Sequence, residues 1–169
     1  MYHYAYPSAS DLDISKDIEK ELVYAVIKQE SAFDPKAISR VGARGIMQIM
    51  PATGKKMSKK LKLNYSKKRL TSDMQYNTKI GSYYLYSLIE EYDSYLLALI
   101  GYNAGPRRIK RWIKKFGDPR NKNIDTASWI EKIPIKETRL YVKIVLSNLQ
   151  VYRQKNQKSK NLSIFSKKN

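Results

Sequence analysis

Apolar side chains recur at three- and four-residue spacing along most of the chain, the periodicity of helices that bury one face. Within 17–31, Ile18, Leu22, Val23, Val26 and Ile27 fall on one such face, with Ser15 or Asp17 placed to cap its start. Pro35, which has no N–H for the helical ladder, predicts the end of that helix. Residues 40–50, around Gly42 and Gly45, read as a tight turn leading into an apolar stretch. Pro51 can open a basic helix to about Leu61. Ser72 or Asp73 can cap a long helix to about Tyr92, marked by Ile80, Tyr84, Leu88 and Ile89. The very apolar stretch 95–100 runs into Gly101-Tyr102-Asn103-Ala104-Gly105, and Pro106 begins a basic amphipathic helix ending near Phe116 and Gly117. A polar linker at 118–125 precedes a short helix over 126–133, and a last helix over 137–152 carries Tyr141, Ile144, Val145 and Leu149. No strand alternation, internal repeat or phosphate-binding glycine loop stands out, so the predicted fold class is all-α.

A length of 169 residues suits one domain with a sizeable core. The folded part is expected over 17–153. Residues 1–16 read as an extension or linker remnant, and 154–169 as a basic tail too polar to pack. No apolar run approaches the roughly 18 residues of a membrane span. Residues 1–7 have neither a basic n-region nor an apolar core, so they do not read as a secretory signal. A role outside the cytoplasm therefore implies a longer precursor or a start downstream of a removed signal. The chain has no cysteine, which excludes disulfides, thiolate zinc sites and cysteine nucleophiles. Its one histidine, His3, near a terminus expected to be loose, argues against a Ser-His-Asp triad or a multi-histidine metal site. Carboxylates, tyrosines and lysines remain for chemistry, and no cofactor or metal is expected.

The formal charge of +18 is unevenly spread. The first 34 residues hold 3 basic and 7 acidic side chains, and the rest hold 30 and 8. Basic clusters occupy 55–69 and 107–115. This pattern fits a polyanionic partner, whether nucleic acid, anionic lipid or a cell-wall polymer, and fits equally a solvated lysine-rich surface.

Glu30 is the odd residue of the first helix. At about 100° per residue, Val23 lies roughly 20° from it, Val26 about 40° and Ile27 about 60°. A carboxyl in the middle of an apolar face, at a helix end that disfavours negative charge, has two reasons for a raised pKa. Protonating a departing glycosidic oxygen needs such a carboxyl. Pairing with one of the many nearby cations is the alternative reading of the same residue.

The neighbouring blocks bear on that choice. They read Glu30-Ser31-Ala32-Phe33-Asp34-Pro35, then Ser39, Val41-Gly42-Ala43 and Gly45-Ile46-Met47-Gln48-Ile49-Met50-Pro51-Ala52-Thr53. Later come Gly101-Tyr102-Asn103-Ala104-Gly105 and Ile133-Pro134, followed by Glu137-Thr138-Arg139 and Tyr141-Val142. In order and spacing, over about residues 20–153, they resemble the soluble lytic transglycosylases, the Slt-type catalytic domain of glycoside hydrolase family 23. That resemblance implies a goose-type-lysozyme-like helical domain with a substrate cleft. It makes Glu30 the sole acid and base, cleaving between N-acetylmuramic acid and N-acetylglucosamine in peptidoglycan and closing a 1,6-anhydro ring. An ordinary glycosidase needs a second carboxylate. Asp34 is nearest in sequence, but no matched block gives it that role.

The resemblance also implies a substrate-binding set of Ser39, Gln48, Met50, Tyr102, Asn103, Glu137 and Tyr141. Ser39 would contact the muramyl acetamido group, or merely form the turn before Gly42. Gln48 would face the substrate, with Ile46 standing where the family has leucine. Met47 and Met50 could line the cleft or sit in plain core. Tyr102 would bring sugar contact and a hydroxyl near the catalytic carboxyl, Asn103 would fix its loop, and Tyr141 would lie near the cleaved bond. Gly101 replaces the usual alanine. Glu137 and Arg139 would bind the stem peptide or brace the cleft, with bracing slightly favoured.

Glycan strands of peptidoglycan are thus the expected partner, with peripheral contact to the cell envelope, no nucleic acid and a monomeric chain. The expected location is the bacterial periplasm or envelope. A water-using lysozyme on the same fold and a non-catalytic glycan- or nucleic-acid-binding module are the competing readings.

Overall fold

The computed structural model describes residues 12–15 and 17–155, and among them the fold is all-α. The helices are α1 (Lys20–Ser31), α2 (Pro51–Lys60), α3 (Arg69–Ser72), α4 (Met74–Tyr92), α5 (Tyr95–Ala104), α6 (Pro106–Phe116), α7 (Thr126–Glu131) and α8 (Lys136–Lys155). Residues 1–11, 16 and 156–169 fall outside the description; they include His3 and most of the expected extension and tail.

The core is organised around α5. Its residues Tyr95, Leu96, Leu97, Ala98, Leu99, Ile100 and Gly101 are all buried. A helix apolar all round must be covered on every side, and α4, α6 and α8 pack against it. Ser94 caps it, its hydroxyl accepting the Leu97 N–H at 3.3 Å. Gly101 allows the close approach to α6, since a Cβ there would meet Ile109 at 3.0 Å and Leu88 at 3.2 Å. The long α8 lies along α1, and Asp73 caps α4 by accepting the Tyr76 N–H at 2.9 Å.

Several boundaries differ from the sequence reading, most of them for a tertiary reason. Neither Ser15 nor Asp17 caps α1. Glu19 precedes it, and its carboxylate is buried in a pair with Arg153, Nε and Nη2 donating at 2.8 and 2.7 Å, while the Tyr95 hydroxyl donates at 3.2 Å. That pair carries α8 three residues beyond Tyr152, into residues read as polar tail. Leu12 and Ile14 pack on the core, Asp13 accepts from Lys79 Nζ at 2.9 Å, and the Ser15 N–H donates to the Ser82 hydroxyl at 3.1 Å. The stretch 12–15 is therefore strapped along α4. The single turn α3 starts at Arg69, the last residue of the basic cluster, and takes in Ser72, which read as a candidate cap of the next helix; α7 stops at Glu131 because Ile133, preceding Pro134, is steered out of helical geometry.

Candidate active site

Glu30 stands in the last turn of α1, behind fully buried Val23, Val26 and Ile27. The helix ends well before Pro35. Ala32 turns left-handed at φ 51° and returns its N–H to the Lys28 carbonyl at 3.1 Å, and Phe33 follows at φ 70°. The Ser31 hydroxyl donates to the Ile46 carbonyl at 2.7 Å, pinning this helix end to the loop that forms the opposite wall.

That loop, residues 37–50, is held by backbone pairing of Arg44 with Ile38 and Ile49 and by one buried side chain. Asn77 accepts the Met47 N–H at 2.9 Å and donates to the carbonyls of Arg44 at 2.9 Å and Leu70 at 2.8 Å. Gly45 is required beside it: a Cβ there would sit 1.9 Å from the Leu70 carbonyl oxygen, on a backbone with φ 75°. Gln48 also adopts a left-handed conformation, φ 49°, and its side-chain amide donates to the carbonyls of Gly45 at 2.8 Å and Ala37 at 3.1 Å. Such a backbone costs about 1–3 kcal/mol and persists where neighbours over-determine it. The Ser39 hydroxyl accepts the Ala43 N–H at 3.0 Å, so it forms the turn while keeping its own proton free to donate.

The third wall comes from α5 and α8. Tyr102 stacks near Tyr84, ring centres 5.3 Å apart, and its hydroxyl donates to the Met47 carbonyl at 2.8 Å. Asn103 accepts the Thr138 hydroxyl at 2.7 Å and joins the two helices. Tyr141, buried in α8, donates to Glu30 Oε1 at 2.8 Å. Glu137 lies one turn earlier and is exposed to the cleft.

Burial pushes Glu30 up from the ordinary 4.5 to about 7; the Tyr141 hydrogen bond opposes this, and the negative charge of Glu137 adds to it. Tyr102 and Tyr141 are driven well above their usual range by burial first and the Glu30 charge second. Both therefore stay protonated at neutral pH. The site thus holds one carboxyl poised between acid and base, with a fixed phenolic donor on one oxygen.

Glu30, Ser39, Gln48, Met50, Tyr102, Asn103, Glu137 and Tyr141 all line one cleft of about 520 Å³. The two methionines divide: Met50 is exposed on the cleft wall, whereas Met47 is buried against Gly81. Arg139 braces the α7–α8 joint, donating to the Ile133 carbonyl at 2.8 Å. Asp34 is spent on its own turn, accepting the Lys36 N–H at 2.8 Å, and does not line the cleft. Sequence reasoning missed Gln29, Val41, Ala43 and Leu140 as lining residues and placed Ile144 on the packed face of the last helix. Ile144 is 41% exposed and faces the cleft, as does Leu140 one turn before it, at 45%. The signal was available in the periodicity, because the buried row Tyr141, Val145, Leu149 leaves Ile144 to one side. Among the described residues, no group of three or more His, Cys, Asp or Glu side chains is arranged to hold a metal.

A helical domain with this cleft carboxyl is matched by the family model of the transglycosylase SLT domain over residues 13–125. The soluble lytic murein transglycosylase of Escherichia coli K12 is 37% identical over 140 residues, which cover 82% of this chain and 21% of that protein. The crystal structure of the 70-kDa soluble lytic transglycosylase of Escherichia coli superposes with a TM-score of 0.77 at 35% identity, over 83% of this chain and 22% of that one. The X-ray structure of an inactive mutant of the lytic transglycosylase Slt from Pseudomonas aeruginosa gives 0.76 at 35% identity, over 84% and 22%. The chain belongs to the transglycosylase SLT domain family, and its fold is the lysozyme-like one expected from the sequence. It spans about a fifth of the length of these relatives.

Proposed function

We propose that the domain is a lytic transglycosylase that cleaves the β-1,4 bond between N-acetylmuramic acid and N-acetylglucosamine in peptidoglycan and leaves 1,6-anhydro-muramyl ends. The observation that carries this reading is Glu30 itself: a carboxyl raised to about 7, held by Tyr141 inside a cleft of about 520 Å³. Protonated Glu30 gives its proton to the bridging oxygen as the C1–O bond breaks, releasing the N-acetylglucosamine 4-hydroxyl. The carboxylate so formed, stabilised by the Tyr141 hydroxyl, then takes the proton of the muramyl C6 hydroxyl as that oxygen bonds to C1. Glu30 ends protonated, and no water is consumed.

The remaining cleft residues serve binding. Ser39 offers its free hydroxyl proton to the acetamido carbonyl. Gln48 contacts sugar through its carbonyl, its amide being committed to the loop. Met50 and the Tyr102 ring supply apolar contact, and Asn103 fixes the end of α5. Glu137 keeps Glu30 protonated through its charge and is open to stem-peptide contact. Peptidoglycan strands in the periplasm or envelope, with a monomeric 17–153 catalytic unit, complete the reading. The related soluble murein transglycosylase supports it by its name.

Purified sacculi provide the test. Glu30→Gln should abolish solubilisation while sedimentation with sacculi persists; cleavage at the parent rate by that variant would overturn the assignment.

A further inference from the structure

The cleft does not end at the catalytic residues. Gln48, Met50, Tyr102 and Asn103 also border a second hollow of about 260 Å³, which continues past Gly105 and Pro106. Those two residues open a third, of about 390 Å³, lined by Arg107, Arg108 and Arg111. Through these shared residues the three hollows neighbour one another in turn, from Glu30 to the start of α6.

The charges at the far end are placed against the helix's own interest. Six of the eleven residues of α6 are lysine or arginine and none is acidic. Arg107 and Arg108 occupy the first turn, where the helix dipole disfavours cations. Arg107–Arg111, Lys110–Lys114 and Arg111–Lys115 are like-charged pairs at four-residue spacing, each mildly repulsive. Arg108 is anchored by donating to the Ala104 carbonyl at 2.5 Å, whereas Arg107 and Arg111 have no ion-pair partner among the described residues. A local conflict of this kind at the end of a substrate cleft is relieved when an anion arrives. The planar guanidinium fork of arginine binds a carboxylate or phosphate through two parallel hydrogen bonds.

We infer that the Arg107–Arg111 end of the groove is a subsite for an oxyanion pendant on the glycan strand whose scissile bond lies at Glu30. The inference rests on the proposed function. Stem-peptide carboxylates and strand-linked phosphodiesters share the required chemistry. The strand threads from the cleft over Pro106, and its pendant anion meets the two arginines outside the reacting sugars.

The test uses the non-cleaving Glu30→Gln chain as parent and measures its affinity for glycan strands. Three strand preparations are compared: with stem peptides, stripped of peptides by an amidase, and peptide-bearing but freed of phosphodiester polymers. Arg107→Ala with Arg111→Ala should weaken binding to the anion-bearing strands about 10-fold and reduce the salt sensitivity. Lys59→Ala with Lys60→Ala, which removes equal charge outside the path, should change binding less than about 2-fold. An arginine effect lost on peptide removal assigns stem-peptide carboxylates, and one lost on polymer removal assigns phosphodiesters. Equal losses in the two double variants, or no loss in the arginine variant, would overturn the subsite. A parent that binds no strand at all would instead refute the underlying function.

Discussion

Replacing Glu30 with glutamine keeps the shape of the side chain and its contact with the Tyr141 hydroxyl while removing its titration. In the parent, a carboxyl whose pKa rises from 4.5 to about 7 on folding binds its proton more tightly in the native state. Below pH 4.5 both states are protonated and nothing is lost. Between 4.5 and 7 stability falls as pH rises, and above 7 the whole cost of holding the charge is present. At about 1.4 kcal/mol per pH unit that cost is about 3 kcal/mol, and water in the cleft reduces it to about 2 kcal/mol. Glutamine never incurs it. The stability difference between Glu30→Gln and parent should therefore grow by about 2 kcal/mol from pH 4 to pH 8.5, or about 4–8 °C in Tm for a domain of this size. Urea unfolding of both proteins across that range measures it, and titrations elsewhere cancel in the difference. Parallel stability curves over the whole range would mean that Glu30 titrates normally and would refute the poised-acid argument.

Three further outcomes follow from the same contacts. Tyr141→Phe removes the donor that holds the Glu30 pKa down, so the alkaline limb of kcat/KM should move up by about one pH unit, with a rate loss of about 10-fold; an unmoved limb contradicts that hydrogen bond. Gly45→Ala drives a Cβ into the Leu70 carbonyl and the Asn77 amide and should cost about 2–4 kcal/mol by urea unfolding, whereas parent-like stability would show that the loop has room. Arg153→Met alone leaves the buried Glu19 uncompensated at about 3–5 kcal/mol, while Glu19→Leu with Arg153→Met should recover most of it; equal losses in the two would remove the pair from the account.

Much of the fold is written in local pattern. Proline at the starts of α2 and α6, the Asp73 cap and the apolar stretch of α5 are decided within a few residues, so periodicity reached them. Glu30 stood out for the same reason, as a carboxyl on an apolar face. The Glu19–Arg153 pair joins positions 134 residues apart, and no local signal reports a partner at that distance. The strap at 12–15 and the single turn α3 likewise depend on tertiary contacts with their surroundings. In the site, the family blocks brought together the lining residues, but they could not say which atoms remain available. Gln48 spends its amide and Tyr102 its hydroxyl proton on the backbone of the loop, so only their oxygens are left to accept.

Transfer and hydrolysis differ in which oxygen reaches C1. Sacculi digested by the wild-type chain in heavy-oxygen water, with the soluble products read by mass spectrometry, answer that directly. Muramyl ends in the 1,6-anhydro form, free of heavy oxygen and absent with Glu30→Gln, are the predicted result. Reducing muramyl ends carrying one heavy oxygen would contradict it and make the enzyme a hydrolase, with Glu137 the first carboxylate to test as its base.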